Sequence, residues 1–256
     1  MSLGGNKIYW SAFSVLVFCF IFFSCVSSAD TEIIENVGSA DTNAALIIID
    51  AGHGGEDSGA VAAHQIAGEL ITFREKDIAL EIAELLAANL RAKLPQVEIV
   101  LTRTTDVFLS LEERVLKSNQ AGGNISNVIF VSIHLNYSPN KDASGMDVYY
   151  YLPVLLDPNA YITVQYLKNI IQNNSSLAQS IVNAVGNIPE LEDLSRNMKN
   201  ADYYVLRNAV GACVLVECGF LSNEREALLF NTASYREKLA EGIASGIVNF
   251  YTDSFF

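Results

Sequence analysis

Hydrophobic positions along this chain keep switching between two rhythms. Ala45–Asp50 is a continuous apolar run that ends on an acid, the pattern of a strand covered on both faces. Val97–Arg103, Val128–His134, Met146–Leu152, Tyr203–Leu206 and Ala212–Glu217 read as further short strands. Between them Lys76–Lys93 carries Ile78, Ile82, Leu85, Leu86 and Leu90 at three-to-four spacing, which predicts a helix with one apolar face; Pro95 stops it. Ser110 followed by Glu113 has capping-box spacing, so a helix should begin at that serine. Residues 153–200 read as long and mostly helical, most clearly over Leu177–Val185. Ala233–Tyr251 closes the pattern as an amphipathic helix, with Leu239, Ile243, Ile247 and Phe250 on one side. Strands alternating with helices predict an α/β fold: a single domain with a twisted, largely parallel or mixed sheet flanked by helices. No internal repeat and no low-complexity tract interrupts it.

The amino-terminal residues follow neither rhythm. Lys7 is the only charge in residues 1–29, and Ile8 to Val26 is almost wholly apolar or small. Ser27-Ser28-Ala29 then offers small residues before Asp30, so residues 1–29 read as a signal peptide. Three outcomes fit this segment. It is cleaved near Ala29; or Cys25 is lipidated, since Phe22-Phe23-Ser24-Cys25 resembles a relaxed bacterial lipobox with Phe23 in place of the usual small residue; or it is retained as a membrane anchor. Each makes the protein exported, in the periplasm or cell envelope, as a lipoprotein in the second case. Residues 30–43 are polar and aperiodic and read as a linker, leaving 44–256 as the folded domain.

Composition narrows the partners. Half of the 256 residues are hydrophobic, enough for a proper core. The net charge of −13 argues against nucleic acid and anionic membrane surfaces, and leaves carbohydrate and peptide substrates open. The four cysteines do not form a disulfide framework. Cys213 and Cys218 are five apart, so on one strand they face opposite sides and read as buried apolar thiols.

Candidate chemistry collects where apolar runs give way to loops. His53 lies in Gly52-His53-Gly54-Gly55, where glycines let the turn bend and leave the ring accessible. His134 closes the run Ile129–Ile133, and Glu217 follows Ala212–Val216, where a carboxylate is costly to bury unless it is paired or bound to metal. Glu75 stands at a helix start. A catalytic zinc takes such ligands, imidazoles and a carboxylate, and a second carboxylate serves the water. Each residue also has a plainer reading. His53 fits a turn, His134 a hydrogen-bonded core position, Glu217 a salt bridge with Arg207 or Arg225, and Glu75 a solvated first-turn acid. His64, in a loop-like stretch of Ala and Gln, reads as a surface histidine.

Taken in order, these segments resemble the zinc-dependent N-acetylmuramoyl-L-alanine amidases of bacteria, the Amidase_3 family. The first motif is Ile49-Asp50-Ala51-Gly52-His53-Gly54-Gly55-Glu56-Asp57-Ser58-Gly59-Ala60, with Ala51 where Pro is common. Arg74-Glu75-Lys76-Asp77, Leu101–Asp106, Ser110–Arg114 and Val131-Ser132-Ile133-His134-Leu135-Asn136 follow. Val205-Leu206-Arg207-Asn208 and Leu215-Val216-Glu217-Cys218-Gly219-Phe220-Leu221-Ser222-Asn223 close the series, which covers about residues 44 to 251. The resemblance implies His53, Glu75 and His134 as ligands of a Zn2+ ion and Glu217 as the catalytic carboxylate. It also implies peptidoglycan as substrate, cleaved at the amide between N-acetylmuramic acid and L-alanine, in wall remodelling or cell separation. Some members carry a helix after the second histidine that covers the zinc until an activator protein binds; Pro153–Asn174 is the corresponding candidate here. Asp50 is a candidate to orient a ligand imidazole or to cap a turn. Asn136 is a candidate for a substrate contact, though a role in its own turn is the plainer expectation; Arg103 and Arg114 read as structural. Two rival functions stay open: another zinc peptidase or amidohydrolase of the envelope, and a non-catalytic wall-binding protein.

Overall fold

The structure is a computed structural model that describes residues 45–153, 161–191 and 194–255. The signal segment, Cys25 and the whole expected linker lie outside the described residues. Among the described residues no helix is long and apolar enough to cross a membrane.

The apolar runs do form strands. β1 (Ala45–Ala51), β4 (Glu98–Leu101), β5 (Asn127–Asn136), β6 (Met146–Tyr150), β7 (Arg196–Asn200) and β8 (Ala212–Phe220) make a sheet of order β4-β1-β5-β8-β6-β7. Its pairs are parallel except β6 against β8, so the sheet is mixed and largely parallel, as expected. β1 shows why its sequence has no polar face. Ile47, Ile49 and Ala51 enter one core layer, under α1 (Glu75–Lys93), α3 (Tyr161–Gly186) and α6 (Ala233–Phe255). Leu46 and Ile48 enter the other, with Val115 of α2 (Leu111–Gly122) and Val205 and Leu206 of α4 (Tyr204–Asn208). α2 begins with the expected capping box, Ser110 and Glu113 each bonding the other's backbone N–H. Cys213 and Cys218 are free, buried and in opposite layers.

Four segments depart from the expectation. Tyr203–Leu206 is not a strand: residues 204–208 form α4, and a short apolar run does not by itself separate helix from strand. Residues 196–200, expected within a mostly helical stretch, form β7. This strand pairs along β6 alone and is largely polar, so hydrophobicity does not mark it. The stretch around His64 is an antiparallel hairpin of β2 (Val61–Ile66) and β3 (Glu69–Arg74). Its two-residue turn puts Ala67 at φ 52° and Gly68 at φ 90°, a primed geometry in which alanine replaces the usual Asn or Asp signal. α5 (Glu224–Phe230), capped by Asn223, was not anticipated.

Of the segment expected to gate the site, residues 154–160 lie outside the described residues, and its last residue sits in the core. Asn174 is buried; its amide donates to the Tyr151 carbonyl and its Oδ1 accepts from the Cys213 N–H. Cys213 is the second residue of β8, roughly 13 Å of strand before Glu217, so Asn174 is tied to the end of β8 away from the candidate chemistry. Beyond the segment, Leu177, Ala178 and Ile181 of α3 pack in the core.

One buried polar network fixes the end of β1. Asp50 accepts from Thr102 Oγ1 at 2.7 Å, Arg114 Nη1 at 2.8 Å and Ser132 Oγ at 2.7 Å. Burial works against its charge, yet Arg114 and the two hydroxyls outweigh it and hold the carboxyl below its usual range. Arg114 also donates to the Ala51 and His53 carbonyls, and Arg103 to those of Ala51, Gly52 and Lys76. Asp50→Ala would leave Arg114 buried without its carboxylate. A loss of about 3–5 kcal/mol is expected in urea unfolding, against under 1 kcal/mol for an exposed acid such as Asp202.

Candidate metal centre

The parallel strands β1 and β5 end side by side, and α1 starts beneath them. His53 follows β1 at φ 57°, a left-handed conformation that a non-glycine residue holds only when its surroundings enforce it. Arg114 bonding the His53 carbonyl at 2.7 Å is one such constraint. Glu75 is the first residue of α1, so its position comes from the hairpin that leads into the helix; Glu75 N–H bonds the Ala60 carbonyl. His134 lies near the end of β5, and Glu217 on β8 is its partner across the parallel ladder.

These elements bring the three expected ligands together. His134 Nδ1 is 2.8 Å and His53 Nε2 3.1 Å from Glu75 Oε1, and one ligand atom from each residue lies within 4.8 Å of the others. Glu75 is only 4% exposed, which excludes the solvated first-turn role. Its Oε1 also accepts from the Leu135 N–H and its Oε2 from the Ala60 N–H. Burial opposes its charge, but the two imidazoles more than compensate and hold the carboxyl far below the ordinary range. Two imidazole nitrogens and a pre-ionised carboxylate at this spacing fit a divalent cation.

The imidazole of His53 is oriented by Asp57, not by Asp50. Asp57 Oδ2 lies 2.7 Å from His53 Nδ1, which puts the ring proton there and leaves Nε2 for the centre. Asp50 is committed to Thr102, Arg114 and Ser132 and reaches neither ring. Asp57 sits within the first motif, four residues after His53, and that spacing was the available signal.

Glycines supply room more than flexibility. A Cβ on Gly52 would lie 2.3 Å from His134 Cε1, so the second histidine ring rests on this α-carbon. Gly59, at φ 62°, would place a Cβ 2.5 Å from Glu75 Oε2 and 2.6 Å from His53 Cδ2.

Among the described residues Glu217 forms no salt bridge with Arg207 or Arg225; Arg207 pairs with Asp202. Glu217 Oε2 is buried without a hydrogen-bond partner. Burial pushes this carboxyl up to about 7, against the pull of the two histidines. Such a group exchanges a proton near neutrality. His64 stands apart from the centre: on β2, half-buried, its Nε2 is 2.8 Å from the Leu221 carbonyl, tying the hairpin to the segment after β8. It is therefore not a loop histidine. Asn136 Oδ1 accepts from the Tyr137 N–H and serves its own turn.

Residues 47–249 match the family described as Amidase_3, N-acetylmuramoyl-L-alanine amidase. The uncharacterized protein YqiI of Bacillus subtilis is 34% identical over 207 residues, which cover 80% of this chain and 84% of that protein. Two further curated relatives are spanned over 64% and 53% of their lengths. Among solved structures, the N-acetylmuramoyl-L-alanine amidase AmiC2 of Nostoc punctiforme superposes with TM-score 0.63 at 30% identity, covering 81% of this chain and 97% of that one. The CwlD amidase of Clostridioides difficile, solved in complex with the GerS lipoprotein, gives TM-score 0.63 at 26% identity, covering 82% and 100%.

The packing of Gly52 against His134 yields a sharp expectation. Gly52→Ala should lower bound metal well below one equivalent after dialysis while far-UV circular dichroism stays that of the wild type; elemental analysis and circular dichroism on the same sample check both.

Proposed function

This chain belongs to the N-acetylmuramoyl-L-alanine amidase family Amidase_3, and from that premise we propose that it hydrolyses the amide between the lactyl group of N-acetylmuramic acid and L-alanine in peptidoglycan. In this reading His53 Nε2, Glu75 and His134 Nδ1 hold a zinc ion. Zinc bound there supplies Lewis acidity, polarising an amide carbonyl and acidifying a water molecule. Glu217 takes a proton from the attacking water and hands it to the departing nitrogen, so the C–N bond breaks to leave a lactyl carboxyl and a free L-alanine amine. Its carboxyl, lifted to about 7, can both accept and return that proton. Asp57 keeps the His53 ring aimed, and Gly52 leaves His134 its place. The observation that carries the reading is the convergence of three donor atoms within 4.8 Å beside a buried, unpartnered carboxylate oxygen.

Export to the envelope, by cleavage near Ala29, lipidation at Cys25 or a retained anchor, belongs to the same proposal, as does a role in wall remodelling or cell separation. So does an activator protein, supported by the structural relative solved with a lipoprotein partner.

The rivals predict different results. Glu217→Gln should release dye from labelled wall about 10²- to 10⁴-fold more slowly than wild type while retaining its metal. Equal release would dispose of the assigned role. Mass analysis of purified muropeptide products should find stem peptides with L-alanine at a free amino terminus; cleavage at another peptide bond would favour the other zinc hydrolase. Chelation should abolish release and zinc add-back restore it.

A further inference from the structure

We propose that Lys199 is a specificity residue, which receives a carboxylate of the peptide half of the substrate on the side of Glu217 away from the metal ligands. The inference rests on the amidase reading above and names where one half of that substrate lies.

A row of residues crosses the sheet at this level. Glu217 is partnered by His134 on β5 and, across the antiparallel β8–β6 pair, by Asp147; Asp147 is partnered in turn by Asn197 on β7. Residues opposed in an antiparallel pair share a face with Cα atoms about 5 Å apart, so Asp147 and Glu217 are immediate neighbours. Asp147 is buried and accepts from Lys199 Nζ at 2.7 Å and Asn197 Nδ2 at 3.1 Å. Two carboxylates so close, one of them buried, require a cation, and Lys199 supplies it.

Lys199 is placed to do more. Asp147 uses one of its three donors, and its side chain keeps 45% exposure. The ammonium stands 5.7 Å from the centre of the Tyr149 ring, and Tyr149 packs on Tyr203 with ring centroids 5.2 Å apart. The two phenols are therefore close neighbours. Burial pushes that of Tyr203 up to about 12, and the charge of Glu217 contributes, so these hydroxyls lie within the field of the reacting carboxylate. The result is a cation with open donors, walled by aromatic rings, on a molecule of net charge −13.

The substrate makes the assignment. In this proposal the half of the substrate that runs past Glu217 toward β6 and β7, away from the metal ligands, is the peptide. The glycan half is made of neutral sugar rings, whereas the stem peptide carries free carboxylates. An oriented ammonium discriminates for the peptide.

The test uses two synthetic muramoyl peptides identical except that the stem carboxylates are free in one and amidated in the other, each hydrolysed by the zinc-loaded full chain. Wild type should show KM about tenfold lower for the free acid. Lys199→Met should bring the ratio of the two KM values close to one, and Lys199→Arg should keep it. Equal KM values for wild type overturn the proposal without reference to any variant. So does a Lys199→Met enzyme that slows on both substrates yet keeps the tenfold ratio, the signature of a purely structural lysine. Wild type that cleaves neither substrate brings down the amidase reading, and this inference with it.

Discussion

Glu75 is the carboxylate on which the candidate centre depends. Its two oxygens take four partners from three parts of the chain: both histidine rings, the Leu135 N–H at the end of β5 and the Ala60 N–H before the hairpin. A buried carboxylate is tolerated only when its lone pairs are filled, and here the filling is the assembly of the site. Because Glu75 also opens α1, the helix that packs the core under β1 and β5 and the group that gathers the two imidazoles are one element. Folding the helix onto the sheet delivers the ligand.

The second support works from the other layer. Arg114, itself held by Asp50, and Arg103 donate to the backbone carbonyls of Ala51, Gly52 and His53 as β1 turns into its loop. Guanidinium groups suit this task, since one planar fork reaches several carbonyl oxygens and keeps its charge throughout. The left-handed backbone at His53 is held by these bonds together with Asp57 on its ring. A ligand fixed at both backbone and ring loses little freedom on binding an ion.

What the sequence disclosed follows from how local each feature is. β1 was legible because both its faces are buried, and α1 because one face repeats every three to four residues. β7 was hidden by its edge position, which lets Arg196–Asn200 stay polar, and the hairpin by an alanine in a turn that usually shows Asn or Asp. The four candidate residues come from four separate elements, so no short spacing joined them; only the ordered series of motifs did. Asp50 was the sequence's candidate to orient an imidazole, and the packed geometry gives that place to Asp57 instead. Asp147 and Lys199 left no signal beside Glu217, because their neighbourhood is created by β6 pairing antiparallel to β8, and nothing local in a strand states its neighbour.

That reversal of direction at β6 divides the labour around the reaction centre. β1, β5 and β8 reach it with their carboxyl ends, where His53, His134 and Glu217 sit. β6 and β7 reach the same edge with their amino ends, and neither strand carries one of the candidate ligands. A change of charge along β6 or β7, at Asp147 or Lys199, would alter one side of the candidate centre and leave His53, Glu75 and His134 in place. The fold thus separates what is recognised from what is done to it, and selection can act on the former while the latter is inherited whole.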